Sequence, residues 1–180
     1  MAERTRFVFS GSGGQGVVTA AIILAEAAVL HENLNAVQTQ VYGAAARGGA
    51  TRSEVIISDS EIFFPKVNQP NVLVCLTQEA YNKFSRILRP GGLLITDTRY
   101  VKTERTVDAM QKELPMYQTV MDRIGKSVVF NICMLGAVTA LTGVVKPASI
   151  VAVLKERIPA RVLKMNLQAL DMGMELAAAP

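Results

Sequence analysis

The chain has 180 residues, of which 50% are hydrophobic and 19% are charged. This size suits one domain whose core needs neither disulfides nor metals, and the apolar content excludes a disordered chain. The formal net charge is only +4 and no block of Lys and Arg occurs, which argues against nucleic-acid binding but leaves room for an attraction to phosphates or carboxylates.

The first half of the chain predicts strands around one long helix. An Ala-rich stretch, apolar on most sides, predicts a helix packed between a sheet and another layer, whereas alternating apolar and polar residues predict half-buried strands. The expected elements are a strand at 6–10, a helix at 17–30, strands at 35–42 and 52–58, and a turn that leads to 62–64.

The middle of the chain predicts a βαβ unit. The continuous apolar runs "NVLVCL" (71–76) and "LLITD" (93–97) are typical of strands that are covered on both faces. Between them, Thr77 is placed to cap a helix over 78–88, and "RPGG" ends that helix. Strand, helix and strand at this spacing indicate two parallel strands with a right-handed crossover.

The second half is predicted to be mainly helical. Residues 101–121 give mixed signals for a strand or loop followed by part of a helix, whereas 128–142 predicts a buried helix and Pro147 begins another that ends near Arg157. An apolar stripe predicts an amphipathic last helix, with Leu163, Leu167, Leu170 and Met174 on it. We therefore predict a single three-layer α/β/α domain over residues 1–180, with a mostly parallel, mixed sheet and a helical C-terminal part.

The loop after the first strand has the glycine spacing of a dinucleotide-binding turn. Such a turn places backbone N–H groups at the positive end of a helix, where an anionic group can approach. An NAD site also needs an acidic residue at the end of the second strand, and "QVYG" offers none, while Glu32 precedes that strand. A tight turn without a ligand and a loop that contacts a phosphate or a partner both remain open, with Gln15 expected to reach outward. The residues of this loop are Gly11, Ser12, Gly13, Gly14, Gln15 and Gly16.

A second candidate segment follows the second strand and reads "YGAAARGGATR". It should emerge at the same end of the sheet as the glycine loop, where ligands gather in open α/β sheets. A guanidinium beside flexible glycine amides suits a carboxylate, a phosphate or an acidic residue of a partner, although a solvated loop remains open as well. The candidate contact residues are Tyr42, Arg47, Gly48, Gly49 and Arg52.

The sequence supplies no catalytic or metal-binding set. Cys75 and Cys133 lie far apart and His31 is the single histidine, so no cluster, metal centre or nucleophile–base pair can be assembled. We expect two buried, reduced thiols in a soluble, cytoplasmic protein, because the apolar stretches at 17–30 and 128–145 are too short or too interrupted to span a membrane. Asp97, Thr98 and Arg99 close a strand, and a capping or turn role explains them as well as a site role does.

Three stretches together resemble the gamma subunit of 2-oxoacid:ferredoxin oxidoreductases, and most of all the 2-oxoglutarate synthase branch. They are "GSGGQGVVTAAIILAEAA", "AVQTQVYGAAARGGATRSEVIISDSEIFFPKV" and "NICMLGAVTALTG". The resemblance as a whole covers nearly the full chain and keeps its order. One departure is visible, since the family usually has Pro-Glu or a similar pair after Tyr-Gly, where this chain has Ala44 and Ala45. That change is expected to loosen the loop or alter one contact.

The resemblance implies a reaction and a set of partners. A 2-oxoacid, coenzyme A and oxidised ferredoxin would give acyl-CoA, carbon dioxide and reduced ferredoxin, with thiamine diphosphate and the [4Fe–4S] clusters carried by other subunits. It implies alpha and beta subunits, and where one exists a delta subunit, with ferredoxin reached through the complex and no nucleic acid or membrane. The isolated chain is not expected to be active, and it can self-associate through the surface that meets its partners. A free-standing nucleotide-binding module and a purely structural subunit are the alternatives.

Overall fold

The computed structural model describes residues 4–41, 50–104 and 107–179. The strands are β1 (Arg4–Gly11), β2 (Asn35–Val41), β3 (Thr51–Ser58), β4 (Val72–Cys75), β5 (Gly92–Asp97) and β6 (Ala109–Leu114). The helices are α1 (Val17–His31), α2 (Gln78–Phe84), α3 (Met116–Arg123), α4 (Phe130–Thr142), α5 (Pro147–Arg157) and α6 (Ala160–Ala178). Single 3-10 turns lie at Ser85–Ile87 and Ser127–Val129. No helix in these described ranges is both long enough and apolar enough to cross a membrane.

The six strands form one mixed sheet in the order β2-β3-β1-β4-β5-β6. Strand β3 runs antiparallel to both of its neighbours, while β1, β4, β5 and β6 are parallel to one another. The short connection from β2 to β3 allows an antiparallel pair, whereas parallel neighbours need a longer crossover. The predicted mostly parallel, mixed sheet is therefore confirmed, and β1, β2, β4, β5 and β6 all end at what we call the carboxyl end of the sheet.

Both faces of the sheet are covered, as the apolar runs predicted. Along β1, Phe7 and Phe9 pack into one apolar cluster and Val8 packs into the other. In β4, Val74 and Cys75 divide between the same two clusters. Because successive side chains of a strand point to opposite faces, each strand contributes to two separate cores. The predicted three-layer α/β/α architecture follows from this arrangement.

The two outer layers are unequal. Helices α1, α3, α4, α5 and α6 contribute to the larger core. The opposite face is covered by α2, the 3-10 turn after it and the irregular segment 59–71, from which Val67 is buried. The predicted helix over 78–88 is too long, because the α-helix ends at Phe84. Its cap is as predicted, since the Thr77 hydroxyl accepts a hydrogen bond from the Ala80 amide at 3.1 Å.

Helices α4 and α6 pack closely because a glycine of each faces the other helix. A Cβ on Gly136 would overlap the carbonyl of Leu170, and one on Gly173 would overlap the carbonyl of Cys133. The apolar run that forms α4 is buried along almost its whole length, as predicted. In α6 the predicted helix is correct, but the stripe is displaced, since Leu163, Leu167 and Met174 are only half-buried. The fully buried positions are Asn166, Ala169, Leu170, Met172 and Gly173.

Candidate functional site

The glycine loop joins β1 to α1 at the carboxyl end of the sheet, where the sequence places it. Gly14 and Gly16 have φ angles of 88° and 71°, and Gly16 is the N-cap residue of α1 without a side-chain cap. Residues with a Cβ rarely adopt positive φ, so glycine at these two positions is what allows the chain to turn sharply. Within the described part of the chain, the N–H groups of Gly13 and Gly14 donate to no other residue.

Gln15 turns inward, which corrects the expectation that it reaches out of the loop. Its Oε1 accepts a hydrogen bond from the Ser12 amide at 2.7 Å, and its Nε2 donates to the carbonyl of Leu76 at 3.2 Å. Leu76 follows directly after β4, so the side chain of Gln15 braces the loop against that strand. The exposed residues of the loop are Ser12, Gly13 and Gly14.

Asn131 fixes the loop from the other side. It lies in the first turn of α4, it is 8% exposed, and its Nδ2 donates to the carbonyl of Gly16 at 3.3 Å. A Cβ on Gly16 would lie 2.6 Å from the same Nδ2. In the sequence this residue is a polar side chain at the start of an apolar run, and nothing there identifies its partner.

An aromatic cluster with an exposed arginine lies at the same end of the sheet. The rings of Tyr100, Tyr117 and Phe130 meet at centroid distances of 5.2 Å for the two tyrosines and 5.6 Å between Tyr117 and Phe130. The guanidinium of Arg99 lies 4.9 Å from the centre of the Tyr117 ring, within the range of a cation–π interaction. Because Phe130 precedes Asn131, this cluster is continuous with the residue that holds Gly16. Arg99 is exposed and so presents a positive charge close to the loop.

Asp97 caps the elements around it. It is fully buried at the end of β5, where Oδ1 accepts from the Arg99 amide at 2.9 Å and Oδ2 accepts from the Tyr117 amide at 2.7 Å. Burial raises the pKa of this carboxyl above its ordinary value, while the bonds from the Tyr117 and Arg99 amides act in the opposite direction. Both oxygens are occupied by backbone amides, so the capping role is the one that the geometry supports.

Of the second candidate segment, Tyr42, Arg47, Gly48 and Gly49 lie outside the described residues. The strands on either side of that segment are described. Val41, at the end of β2, pairs with Arg52, and Thr51, at the start of β3, pairs with Gly11. The segment therefore starts and finishes at the carboxyl end of the sheet, as predicted.

Arg52 does not supply the free positive charge that was expected of it. Its Nη2 lies 2.6 Å from Oε1 of Glu54 and donates to the carbonyl of Val67 at 2.7 Å, and the side chain is 17% exposed. The guanidinium also lies 5.3 Å from the centre of the Phe84 ring. Residues two apart on a strand share one face, which is why Arg52 turns under the 59–71 segment with Glu54.

The cysteines are buried thiols. Cys75 and Cys133 are both free, and burial raises the pKa of each thiol to about 12. Among residues 4–41, 50–104 and 107–179, no three His, Cys, Asp or Glu side chains come together as a metal site. His31 is the exposed last residue of α1.

Comparison with known proteins supports one family. The family model described as pyruvate ferredoxin/flavodoxin oxidoreductase matches residues 6–176. The 2-oxoglutarate synthase subunit KorC of Methanocaldococcus jannaschii is 42% identical over 97% of this chain and 94% of its own length. The KorC subunit of Methanothermobacter thermautotrophicus is 39% identical over 96% of this chain and 95% of its own.

The fold agrees with a solved relative. The crystal structure of the keto/oxoacid ferredoxin oxidoreductase gamma subunit from Geobacter sulfurreducens superposes with a TM-score of 0.88 at 39% identity, covering 98% of this chain and 99% of that one. Sequence, fold and length thus agree along the whole domain. The chain therefore belongs to the pyruvate ferredoxin/flavodoxin oxidoreductase family, as one of its gamma-type chains.

Proposed function

We propose that this chain is the gamma subunit of a cytoplasmic, coenzyme A-dependent 2-oxoacid:ferredoxin oxidoreductase and forms one wall of its composite active site. The enzyme would convert a 2-oxoacid and coenzyme A to acyl-CoA and carbon dioxide, with both electrons passed to ferredoxin. Thiamine diphosphate and the [4Fe–4S] clusters, which supply decarboxylation and electron transfer in such an enzyme, would be held by the partner subunits.

The observation that carries the proposal is the exposed glycine backbone of the loop. The N–H groups of Gly13 and Gly14 are not used within the described chain, and the loop is held in place by Gln15 and Asn131. Pre-positioned amides beside a helix N-terminus favour an anionic group. Because the amides are fixed before binding, little ordering of the loop is needed when a phosphate of coenzyme A or a partner's carboxylate arrives.

Arg47 is the second part of the proposed site. It belongs to the segment that leads into β3, whose first residue, Thr51, is the neighbour of Gly11 across β1 and β3. An arginine can bind a phosphate or carboxylate through two parallel hydrogen bonds. With Gly48 and Gly49 beside it, Arg47 would hold an anionic group of coenzyme A or contact the thiamine-bearing subunits, with Tyr42 at the other end of the segment.

The proposed 2-oxoacid is 2-oxoglutarate. Support comes from the similarity to the KorC subunits of 2-oxoglutarate synthases in two archaea. The chain itself carries no side chain that we assign to the 2-oxoacid, so the choice of substrate would belong to the partner subunits.

The test is the substitution Arg47→Ala in the assembled enzyme, with Lys155→Ala as the matched control. Lys155 is exposed on α5, so its loss removes the same charge at a surface away from the carboxyl end. We expect Arg47→Ala to raise the KM for coenzyme A by about tenfold, which corresponds to about 1.4 kcal/mol, or to prevent assembly of the complex. The control should change neither quantity. An Arg47→Ala enzyme that assembles and keeps the wild-type KM would refute the proposed role.

A second experiment separates this proposal from a free-standing nucleotide-binding module. NAD, ATP and coenzyme A are each titrated into the isolated chain and followed by calorimetry. The topology gives a reason to expect no NAD binding, because β3 lies between β1 and β2 and moves the end of β2 about 10 Å from the end of β1. Tight binding of NAD by the chain alone would favour the module.

A further inference from the structure

The amino end of the sheet carries a groove that the proposed site does not use. It has a volume of 780 Å³ and lies where β1 begins, between the segment before β4 and the Arg89-Pro90 turn before β5. Arg4, Arg6, Lys66 and Arg89 line it. We call this the basic groove. Strand β1 spans eight residues, so the basic groove lies about 23 Å from the glycine loop.

The positive charges of the basic groove are not neutralised within the described chain. The ion pairs among the described residues are made by four other cations, namely Arg52, Arg123, Lys146 and Arg157. Arg4 donates to a backbone carbonyl, that of Glu61 at 3.1 Å, and the described lining includes no carboxylate. Four like charges around one groove repel one another, and an anionic surface would relieve that repulsion.

Two exposed phenylalanines adjoin the same cations. Phe63 is 83% exposed and Phe64, which lines the basic groove, is 57% exposed. Aromatic residues and arginine are the types enriched at the centre of protein interfaces, where charged rims surround an apolar contact. A small anion would engage the cations but would leave Phe63 in water. The combination therefore favours a protein surface over a phosphate ion.

The thin layer on this side of the sheet explains why the surface is open. Segment 59–71 covers the sheet without a helix or strand of its own, whereas five helices cover the opposite face. A second groove of 520 Å³ continues from Lys66 to Thr39 and Ile87 on the same side. A partner that docks here would complete a layer that the chain leaves partly built.

We propose that the basic groove, together with Phe63 and Phe64, docks an acidic surface of another subunit of the same oxidoreductase. This inference rests on the proposed subunit role, but not on the proposed contact between the glycine loop and coenzyme A. The chain then meets its partners at two ends of the sheet. The amino end holds the subunit in place by charge and by two aromatic contacts, and the carboxyl end faces the reacting molecules.

The test reverses two charges of the basic groove and compares the result with an equal reversal elsewhere. The groove variant is Arg6→Glu with Arg89→Glu, and the control is Lys155→Glu with Arg161→Glu, two exposed positions on α5 and α6. Each variant is co-expressed with the alpha and beta subunits, and its retention in the complex is measured by size-exclusion chromatography at low and high salt. Melting of each isolated chain, followed by circular dichroism, shows whether it is folded.

We expect the groove variant to melt like the wild type and to lose at least tenfold in affinity for the complex, while the control assembles normally. A further variant, Phe63→Ser, removes no charge and should weaken assembly without changing its salt dependence. The proposal is overturned if the folded groove variant assembles like the wild type, or if the wild-type groove binds only vesicles of anionic lipid or free inorganic phosphate. The two proposals fail separately, because the groove variant should leave the KM for coenzyme A unchanged in whatever complex it forms.

Discussion

Gly16 is a position of the glycine loop where the structure predicts a strong effect of a single methyl group. Its φ of 71° is unfavourable for alanine by about 1–2 kcal/mol. A Cβ there would also lie 2.6–2.9 Å from three side-chain atoms of Asn131, which is buried and cannot simply swing into solvent. Forcing Asn131 to move adds about 1–3 kcal/mol, so Gly16→Ala should lower the free energy of unfolding by about 2–5 kcal/mol in total.

The two causes can be separated by a double-mutant cycle. Asn131→Ala alone loses its bond to the carbonyl of Gly16, at a cost of about 0.5–1.5 kcal/mol. In the double variant the contacts with Nδ2 and Cγ are gone, while the backbone strain and the 2.9 Å contact with the Cβ of residue 131 remain. The combined loss should therefore be smaller than the sum of the two single losses by about 0.5–3 kcal/mol. Urea unfolding followed by circular dichroism measures all four corners of the cycle.

Gly13→Ala is the matched control in the same loop. No positive φ is found at Gly13, and a Cβ there would meet no atom within 4 Å. Its free energy of unfolding should stay within about 0.5 kcal/mol of the wild type. If Gly16→Ala unfolded at the same urea concentration as Gly13→Ala, the loop would not be held by Asn131 in the way described. A Gly13→Ala subunit that folds but raises the KM for coenzyme A would in turn locate the bound group beside the loop.

Three further predictions concern the rest of the fold. Gly173→Ala should lower the free energy of unfolding by about 3 kcal/mol and the melting temperature by about 6–12 °C, because the new Cβ would overlap the Cys133 carbonyl. Gln168→Ala, on the exposed side of α6, is the control and should change neither quantity. Bonds from Ser149 and Lys146 lower the pKa of Glu32 below 4.5, so its stabilisation is present above pH 4.5 and is lost as the pH falls through the lowered pKa. Glu32→Gln should therefore be about 1 kcal/mol less stable than the wild type at pH 7, with urea midpoints that converge in acid. Both thiols should resist a thiol reagent at pH 8 in the native chain and react in urea, because their pKa values are raised to about 12, and rapid labelling of the native chain would contradict their burial.

The fold could be predicted closely because its signals are local. The continuous apolar run along 71–76 reflects two covered faces, and the cap at Thr77 needs only the amide three residues away. The end of α2 was predicted too late in the chain, because the helix tightens to a 3-10 turn after Phe84. The displaced stripe on α6 has a similar origin, because contact with α4 selects small residues that a search for large apolar side chains passes over.

The candidate site was harder to predict because its side chains bind partners far away in sequence. Gln15 reaches the carbonyl of Leu76, 61 residues on, and Asn131 reaches Gly16, 115 residues back. Neither distance leaves a periodic trace in the sequence. Arg52 is different, since Glu54 two residues later lies on the same face of a strand, although the ion pair was not predicted from that spacing.

The antiparallel strand β3 determines what the carboxyl end of the sheet can do. By returning from the end of β2, it places its own first residue, which follows segment 42–49, beside the glycine loop, while it removes β2 from the place where an acid would bind a ribose. Of the described ionisable groups discussed at this end, Asp97 already accepts two backbone amides, and Arg99 presents an exposed guanidinium. Fixed amides and a guanidinium bind an anion through hydrogen bonds and charge. Under the proposed function, this chain would hold the anionic part of a molecule whose other end reacts on another subunit.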